Sequence, residues 1–436
     1  MNRRYGRSQR VVTLLVLAWT WTFAVDALVG GLPPPATPDP VFLQNRAEFG
    51  ATLLLSPFLI NSLGREEEQS SVTLPLRFFA NGGCWALSLT LSSSSSEEQP
   101  AATGGKKYNL FPNNDTNSLR HTLPQQDEYT FFAVVDTGSP FLTAPPAALD
   151  YTRPSTNYAD TVEQYGEAAG GMMWRTTTTK SPLLIAQGLL ELSNPVIGIA
   201  SSDVIQGAGG VYCGLIDKDD NRPTFLQQLG YHSLTLRLST KNRSSLTLYK
   251  NSILKELRDS HPSTILKLVS LQSYGPDLYH YAVECQTLTF RSKTTTQSSP
   301  RKGFKTLRIS SDTLKRPIYV VLDTGLTGCI ISDSLTEELM QSGVIKETTL
   351  KNNDIVGASV ELPTMDDGGG TLELSSRLDQ AYWYLLSFRL PWFHSEEDHP
   401  HIIAVGTTFW TSIDEMRTTE LSIDPAAGRV RIRIET

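Results

Sequence analysis

Phe131-Phe132-Ala133-Val134-Val135-Asp136-Thr137-Gly138-Ser139 and, further on, Pro317-Ile318-Tyr319-Val320-Val321-Leu322-Asp323-Thr324-Gly325 decide how this chain is read. Each is a β-branched and aromatic run, the composition of a buried strand, ending on Asp-Thr-Gly. The two aspartates lie 187 positions apart. A single Asp-Thr-Gly is an ordinary turn, since each of these residues serves turns for its own reason. A strand-to-turn unit present twice, once in each half of a long chain, points instead to two like loops that each deliver a carboxylate.

Composition sets the frame for those loops. The chain has 436 residues, 39% of them hydrophobic and 19% charged, which suits a globular protein with one large core or two. The formal net charge is −7, and no basic stripe suggests nucleic acid. Arg3, Arg4, Arg7 and Arg10 precede an apolar stretch from Val11 to Val25, with small residues at Val25-Asp26-Ala27. This reads as a signal peptide over 1–27, because a membrane span needs about 20 apolar residues. Residues 28–71, Pro-rich and then Glu-rich, read as a leader or pro-segment-like arm. The expected destination is the secretory pathway, extracellular, vacuolar or lysosomal; a plastid destination and a membrane anchor are the alternatives. Asn114-Asp115-Thr116 and Asn242-Arg243-Ser244 are acceptor triplets for glycosylation. Cys84, Cys213, Cys285 and Cys329 allow three full pairings, among which sequence does not choose. Cys213 and Cys329 sit inside apolar segments and read as buried free thiols.

Strand signals dominate the rest. They fall on Val72 to Phe79, Cys84 to Leu91, Tyr129 to Val135, Leu183 to Ile185, Val196 to Ala200, Leu234 to Leu238, Leu246 to Tyr249, Ile265 to Leu271, Tyr279 to Phe290 and Ile318 to Leu322. Helical patterns are short, the best being Thr224 to Leu229 and Leu335 to Ser342, the latter preceded by cap candidates in Ser332-Asp333-Ser334. The fold class is therefore all-β, with few short helices. The tract from Ser92 to Glu128, and shorter ones at Thr294 to Lys302 and Asp366 to Gly370, read as polar surface insertions.

Two carboxylates close enough to share one proton cannot both ionise cheaply, so one serves as acid and the other as base at the same pH. That pair can activate a water and protonate a carbonyl oxygen. Gly138 and Gly325 permit the tight turns, and Thr137 and Thr324 can bond to backbone across the junction between the loops. His394, His399 and His401, among Glu396, Glu397 and Asp398, fit no common zinc spacing and read as a solvated acidic loop, so no metal is expected. Gly-x-Ser-x-Gly does not occur.

These motifs resemble the pepsin-like aspartic proteases, and the likeness runs from about residue 72 to the end. Asp136-Thr137-Gly138-Ser139 and Asp323-Thr324-Gly325 match the family's two catalytic loops. Gln164-Tyr165-Gly166 with Gly170-Gly171 resembles its flap. Tyr212-Cys213-Gly214-Leu215 and Ala404-Val405-Gly406-Thr407-Thr408-Phe409 resemble the strands behind each loop. Pro223 to Gly230 resembles the helix after the first of them, and Leu421 to Val430 the closing hairpin.

The resemblance implies a bilobal fold with pseudo-twofold symmetry, an N-terminal lobe over 72–250 and a C-terminal lobe over 251–436. It implies an endopeptidase with Asp136 and Asp323 as the catalytic pair. Thr137, Gly138, Ser139, Thr324 and Gly325 would support the loops, and Tyr165 and Gly166 would lie over a peptide or protein substrate. No cofactor and a monomer are expected. The alternative is a weakly active or inactive relative acting as a binding or inhibitor module. Three departures stand out. Leu326 replaces the hydroxyl residue usual after the second triplet, Thr143 stands where the family often has a tryptophan near the flap tyrosine, and the family's short-range disulfides are absent.

Overall fold

Alternation of leucine with polar residues builds the centre of the molecule. In Ser233–Leu238 and Ser244–Tyr249, Leu234, Leu236, Leu246 and Leu248 are fully buried, while Thr235, Ser245 and Thr247 face the other way. Each such leucine contributes about 2 kcal/mol of apolar burial. The computed structural model describes residues 70–79, 83–92, 128–163, 172–179, 181–200, 211–217, 222–254, 264–274, 279–294, 303–314, 316–343, 355–365, 369–377, 385–388, 400–413 and 418–435. The expected signal peptide over 1–27, nearly all of the expected arm over 28–71, the Ser-rich tract, Asn114, the flap-like segment with Tyr165, Gly166, Gly170 and Gly171, and His394 and His399 lie outside these residues.

The largest sheet repeats one plan twice. At its middle, Ser233–Leu238 pairs antiparallel with Thr418–Asp424 in the register Leu234↔Ile423, Thr235↔Ser422, Leu236↔Leu421. Outward on one side follow Ser244–Tyr249, Ser71–Phe79, Cys84–Ser92, Glu128–Asp136 and Tyr212–Gly214; on the other follow Arg429–Glu435, Ile265–Val269, Ala282–Cys285, Ile318–Leu322 and His401–Val405. Each half is thus a hairpin, two further strands, the strand ending at an aspartate, and a parallel strand beyond it. The hydroxyls of Thr235 and Ser422 meet at 3.0 Å and are separated by 187 positions, the spacing of the two aspartates. Equal spacing at both contacts marks a pseudo-twofold axis between the halves. Four short α-helices and one 3-10 helix, Pro146–Tyr151, accompany the strands among the described residues, and none is long and apolar enough to cross a membrane.

Local chemistry sets the element ends. Helix Phe225–Leu229 opens with a capping box between Thr224 and Gln227 and stops at Gly230, whose φ of 69° is left-handed. Helix Asp333–Gln341 is capped by the Ser332 hydroxyl, which accepts from the Leu335 N–H. The single strand expected over Tyr279 to Phe290 is two, Ala282–Cys285 and Thr287–Thr294. At Gln286 the chain leaves the large sheet, donates its N–H to the Glu361 carbonyl, and joins a smaller sheet beside Ile355–Pro363. All four cysteines are free and buried.

Candidate active site

Strand Glu128–Asp136 grows more buried along its length and carries Asp136 inward, and Ile318–Leu322 does the same for Asp323. Both strands are braced from behind in the same way. Tyr212–Gly214 runs parallel to the first, with Gly214 level with Asp136, and His401–Val405 runs parallel to the second, with Val405 level with Leu322. Gly214 and Gly406 then meet the returning loop. A Cβ on Gly214 would lie 2.4 Å from the Phe141 nitrogen, and one on Gly406 would lie 2.0 Å from the Gly328 oxygen. Only glycine admits this backbone contact.

The loops themselves are clasped reciprocally. The Thr137 N–H donates to Thr324 Oγ1 at 3.1 Å, and the Thr324 N–H donates to Thr137 Oγ1 at 2.9 Å. The Thr137 hydroxyl donates to the Leu322 carbonyl and the Thr324 hydroxyl to the Val135 carbonyl, each at 2.7 Å. All these groups are buried, so each bond closes off a backbone group that water cannot reach. Each glycine of the triplets also makes room for the opposite carboxyl. A Cβ on Gly138 would fall 2.5 Å from Asp323 Cγ, and one on Gly325 would fall 2.2 Å from Asp136 Cγ.

The result is a pair of carboxyls, Asp136 buried and Asp323 half-buried, in one hydrogen-bonded site. The Gly138 N–H donates to Asp136 Oδ1 at 2.7 Å. The N–H groups of Gly325 and Leu326 donate to Asp323 Oδ1 at 3.0 and 3.1 Å. Asp136 and Asp323 are hydrogen-bonded to each other. Burial pushes both carboxyls above the ordinary carboxylate range. The push is stronger for Asp323, which also faces the Asp136 charge, while the N–H groups of Gly138 on one side and of Gly325 and Leu326 on the other oppose it. The two carboxyls therefore titrate as a pair, with one proton between them over a wide pH range.

Thr137, Gly138, Thr324 and Gly325 lie together at the junction. Ser139 is buried beside Asp136 and favours its charged form, without the alignment of a well-formed hydrogen bond. Leu326 lacks a hydroxyl, but its backbone N–H supplies Asp323 with a donor that reading by side chain alone overlooks. Thr143 accepts from the Tyr212 N–H at 2.7 Å and so ties down the strand behind Asp136. His401 is a core histidine: it is 1% exposed, its Nδ1 lies 3.0 Å from the Ser334 hydroxyl, and burial with nearby Arg316 lowers its pKa to about 4.

Sequence reasoning missed Arg222. It is fully buried, with its guanidinium 4.1 Å from the centre of the Phe141 ring in the loop after Asp136. Gly198 leaves the room it needs, since a Cβ there would lie 2.4 Å from Nη1. An isolated arginine after the polar Asp-Lys-Asp-Asp-Asn run reads as surface, so the chain offers no local signal for it.

No family model matches the chain, and no curated protein does. Among solved structures, the chain is similar to basic 7S globulin from soybean at 11% identity and a TM-score of 0.42, over 83% of this chain and 94% of that one. It is similar to edgp at 9% identity and a TM-score of 0.45, over 83% and 94%. It is similar to an aspartic proteinase from Irpex lacteus at 13% identity and a TM-score of 0.41, over 84% and 98%. The observed architecture, mostly β with few short helices and with like halves each delivering one aspartate to a pseudo-twofold axis, is that of the pepsin-like acid-protease fold.

Proposed function

We propose that this chain is an aspartic endopeptidase that hydrolyses peptide bonds with a water held between Asp136 and Asp323. The observation that carries this reading is the meeting of two carboxyls on clasped, like loops, each lying against the glycine of the other's triplet and each raised in pKa, Asp323 the more so, which suits Asp323 to hold the shared proton. Asp136 takes a proton from the water as its oxygen attacks the scissile carbonyl carbon. Asp323 gives its proton to the carbonyl oxygen. The tetrahedral intermediate collapses as the C–N bond breaks and the departing nitrogen takes up a proton. No covalent intermediate forms and the chemistry requires no cofactor.

The walls beside the pair suit an extended peptide. Val321 and Ile402 are buried in a small apolar cluster with Leu271 and Ala282, against which Tyr274, Tyr319 and Ala404 pack. Val321 and Tyr319 alternate with the core residues Ile318, Val320 and Leu322, so they lie on the face that Asp323 shares. The half-buried Tyr274, Tyr319 and Ala404 are the members of this cluster open to alternate side chains of a bound strand. The Arg-rich, then apolar N-terminus supports entry to the secretory pathway, where acidic compartments suit a half-protonated pair.

One observation favours the second reading, a binding module on the same fold: Leu326 denies the second loop the hydroxyl that Ser139 gives the first. Digestion of a denatured protein across acidic pH separates the two. The endopeptidase reading expects cleavage that a statine-type transition-state mimic abolishes and that Asp136→Asn and Asp323→Asn each remove. Absence of cleavage by the wild-type protein, or cleavage surviving both substitutions, refutes it.

A further inference from the structure

Along Glu128–Asp136, Ala133 and Val135 enter the core while Val134 and Asp136 lie on the opposite face. Strand register carries that second face sideways. Tyr212 pairs with Val134 on one side; on the other, Ala86 pairs with Val134 and Arg77 pairs with Ala86. Paired positions share a face, so Tyr212, Val134, Phe132, Phe79 and Arg77 all lie on the side of the sheet that presents Asp136. The ring contacts agree. The rings of Phe79 and Phe132 are 5.2 Å apart, and the Arg77 guanidinium sits 5.0 Å from one ring centre and 5.6 Å from the other.

Val134 and Ala86 at the middle of this face are buried, and its rim is open. Phe79, Phe132 and Tyr212 are half-buried and Arg77 is exposed, whereas Trp85 and Leu87 beneath are fully buried. The Tyr212 phenol lies in the field of both carboxylates, which places it at the end of the face nearest the pair. At the far end Arg77 has no carboxylate partner among the described residues. A cation held on two rings and exposed to solvent is placed to receive an anionic group of a ligand.

We infer that this ledge is a substrate subsite for an acidic side chain and that Arg77 is its specificity-determining residue. The inference rests on the endopeptidase reading and adds a substrate class to it. Arg77 stands two strands across and one pair along from Asp136, a Cα separation of about 12 Å. An extended peptide advances about 3.3 Å per residue, so the acidic residue belongs three to four positions from the scissile bond. The two rings hold the guanidinium in place before substrate arrives, so little side-chain freedom is lost on pairing.

The test is a set of fluorogenic peptides with one cleavage site and glutamate or glutamine at successive positions, assayed near pH 5 so that free glutamate, with a pKa of about 4.3, is ionised. Wild type should favour glutamate over glutamine about fivefold in kcat/KM at one position three or four residues from the cut, the size of a partly exposed ion pair. Arg77→Ala should erase that preference by lowering kcat/KM for the glutamate peptides more than for their glutamine counterparts, Arg77→Lys should keep most of it, and Arg77→Glu should turn it into a preference for lysine. Wild-type protein that cleaves every peptide alike, or Arg77→Ala protein that keeps the preference, overturns the subsite alone. Wild-type protein that cleaves none of them overturns the endopeptidase reading and the subsite together.

Discussion

Replacing Thr324 with valine tests whether the reciprocal clasp, rather than general packing, holds the two loops in place. The side chains are nearly the same shape, so the substitution removes a hydroxyl without opening a cavity. It leaves the Thr137 N–H without its 3.1 Å acceptor and the Val135 carbonyl without its 2.7 Å donor. Both groups are buried, and an orphaned buried backbone group costs about 1–3 kcal/mol, so the loss should be about 4 kcal/mol. Against a typical domain stability of about 5–15 kcal/mol the variant should still fold. Urea unfolding at neutral pH should show a lower midpoint with an unchanged m-value. Thr137→Val removes the matching pair, the 2.9 Å bond from the Thr324 N–H and the 2.7 Å bond to the Leu322 carbonyl. The double variant should lose less than the two single losses combined, by about 1 kcal/mol or more, because the first substitution already frees the loops that the second would release. Thr324→Ser keeps the hydroxyl and should lie within about 1.5 kcal/mol of wild type. Valine and serine variants of equal stability, or strictly additive single losses, would refute the clasp as the source of the junction's rigidity.

Three further outcomes follow from the site. Gly325→Ala should abolish proteolysis, since its Cβ would lie 2.2 Å from Asp136 Cγ; an alanine variant with wild-type turnover in the protein-digest assay would contradict the cradle geometry. Leu326→Thr should place a hydroxyl donor beside Asp323, favour its charged form and lower its raised pKa, so the upper limb of the pH–activity profile should move toward acid; an unmoved limb would show that the Leu326 N–H already satisfies the carboxyl. His401→Asn should improve acid stability. The unfolded chain protonates this histidine near pH 6.5 and the folded chain only near pH 4, so the folded state is fully favoured above the first value and loses up to about 3 kcal/mol as the pH falls to the second. Unfolding midpoints measured between pH 4 and pH 7 should therefore flatten in the variant, and an unchanged slope would assign the acid sensitivity elsewhere.

The fold and the centre of the site were legible because their signals are local and repeated. The duplicated apolar run before Asp-Thr-Gly carries strand, turn and carboxylate within nine residues, and strands such as Leu183–Ile185 and Val196–Ala200 have the expected ends. What escaped is either exposed or non-local. Gly303–Ser310 carries Lys305 and Arg308 on opposite faces and buries only Ile309 among its described side chains, so its pattern resembles a loop. The break at Gln286 is set by Glu361, far away in the chain. The ledge of Phe79, Phe132 and Arg77 exists only once register is known, because nothing in the order of residues places 77 beside 132.

The symmetry of the scaffold makes the asymmetry of its chemistry informative. Both aspartates sit at the same point of the same loop, under the same reciprocal bonds, against the same kind of glycine. Symmetric surroundings would leave the shared proton without a preferred owner. The loops differ at the position after each triplet. Asp136 has the Ser139 hydroxyl beside it, whereas Asp323 has Leu326 in the corresponding place, accepts from the N–H groups of Gly325 and Leu326, and lies against its partner's charge. Division of labour between acid and base is thus biased by one substituted position rather than by two different loops. A substitution at 326 should shift the assignment of the proton without disturbing the clasp, while one at 324 should disturb the clasp whatever the proton does. The two perturbations act on separable parts of one site, one read out by the pH profile and the other by unfolding.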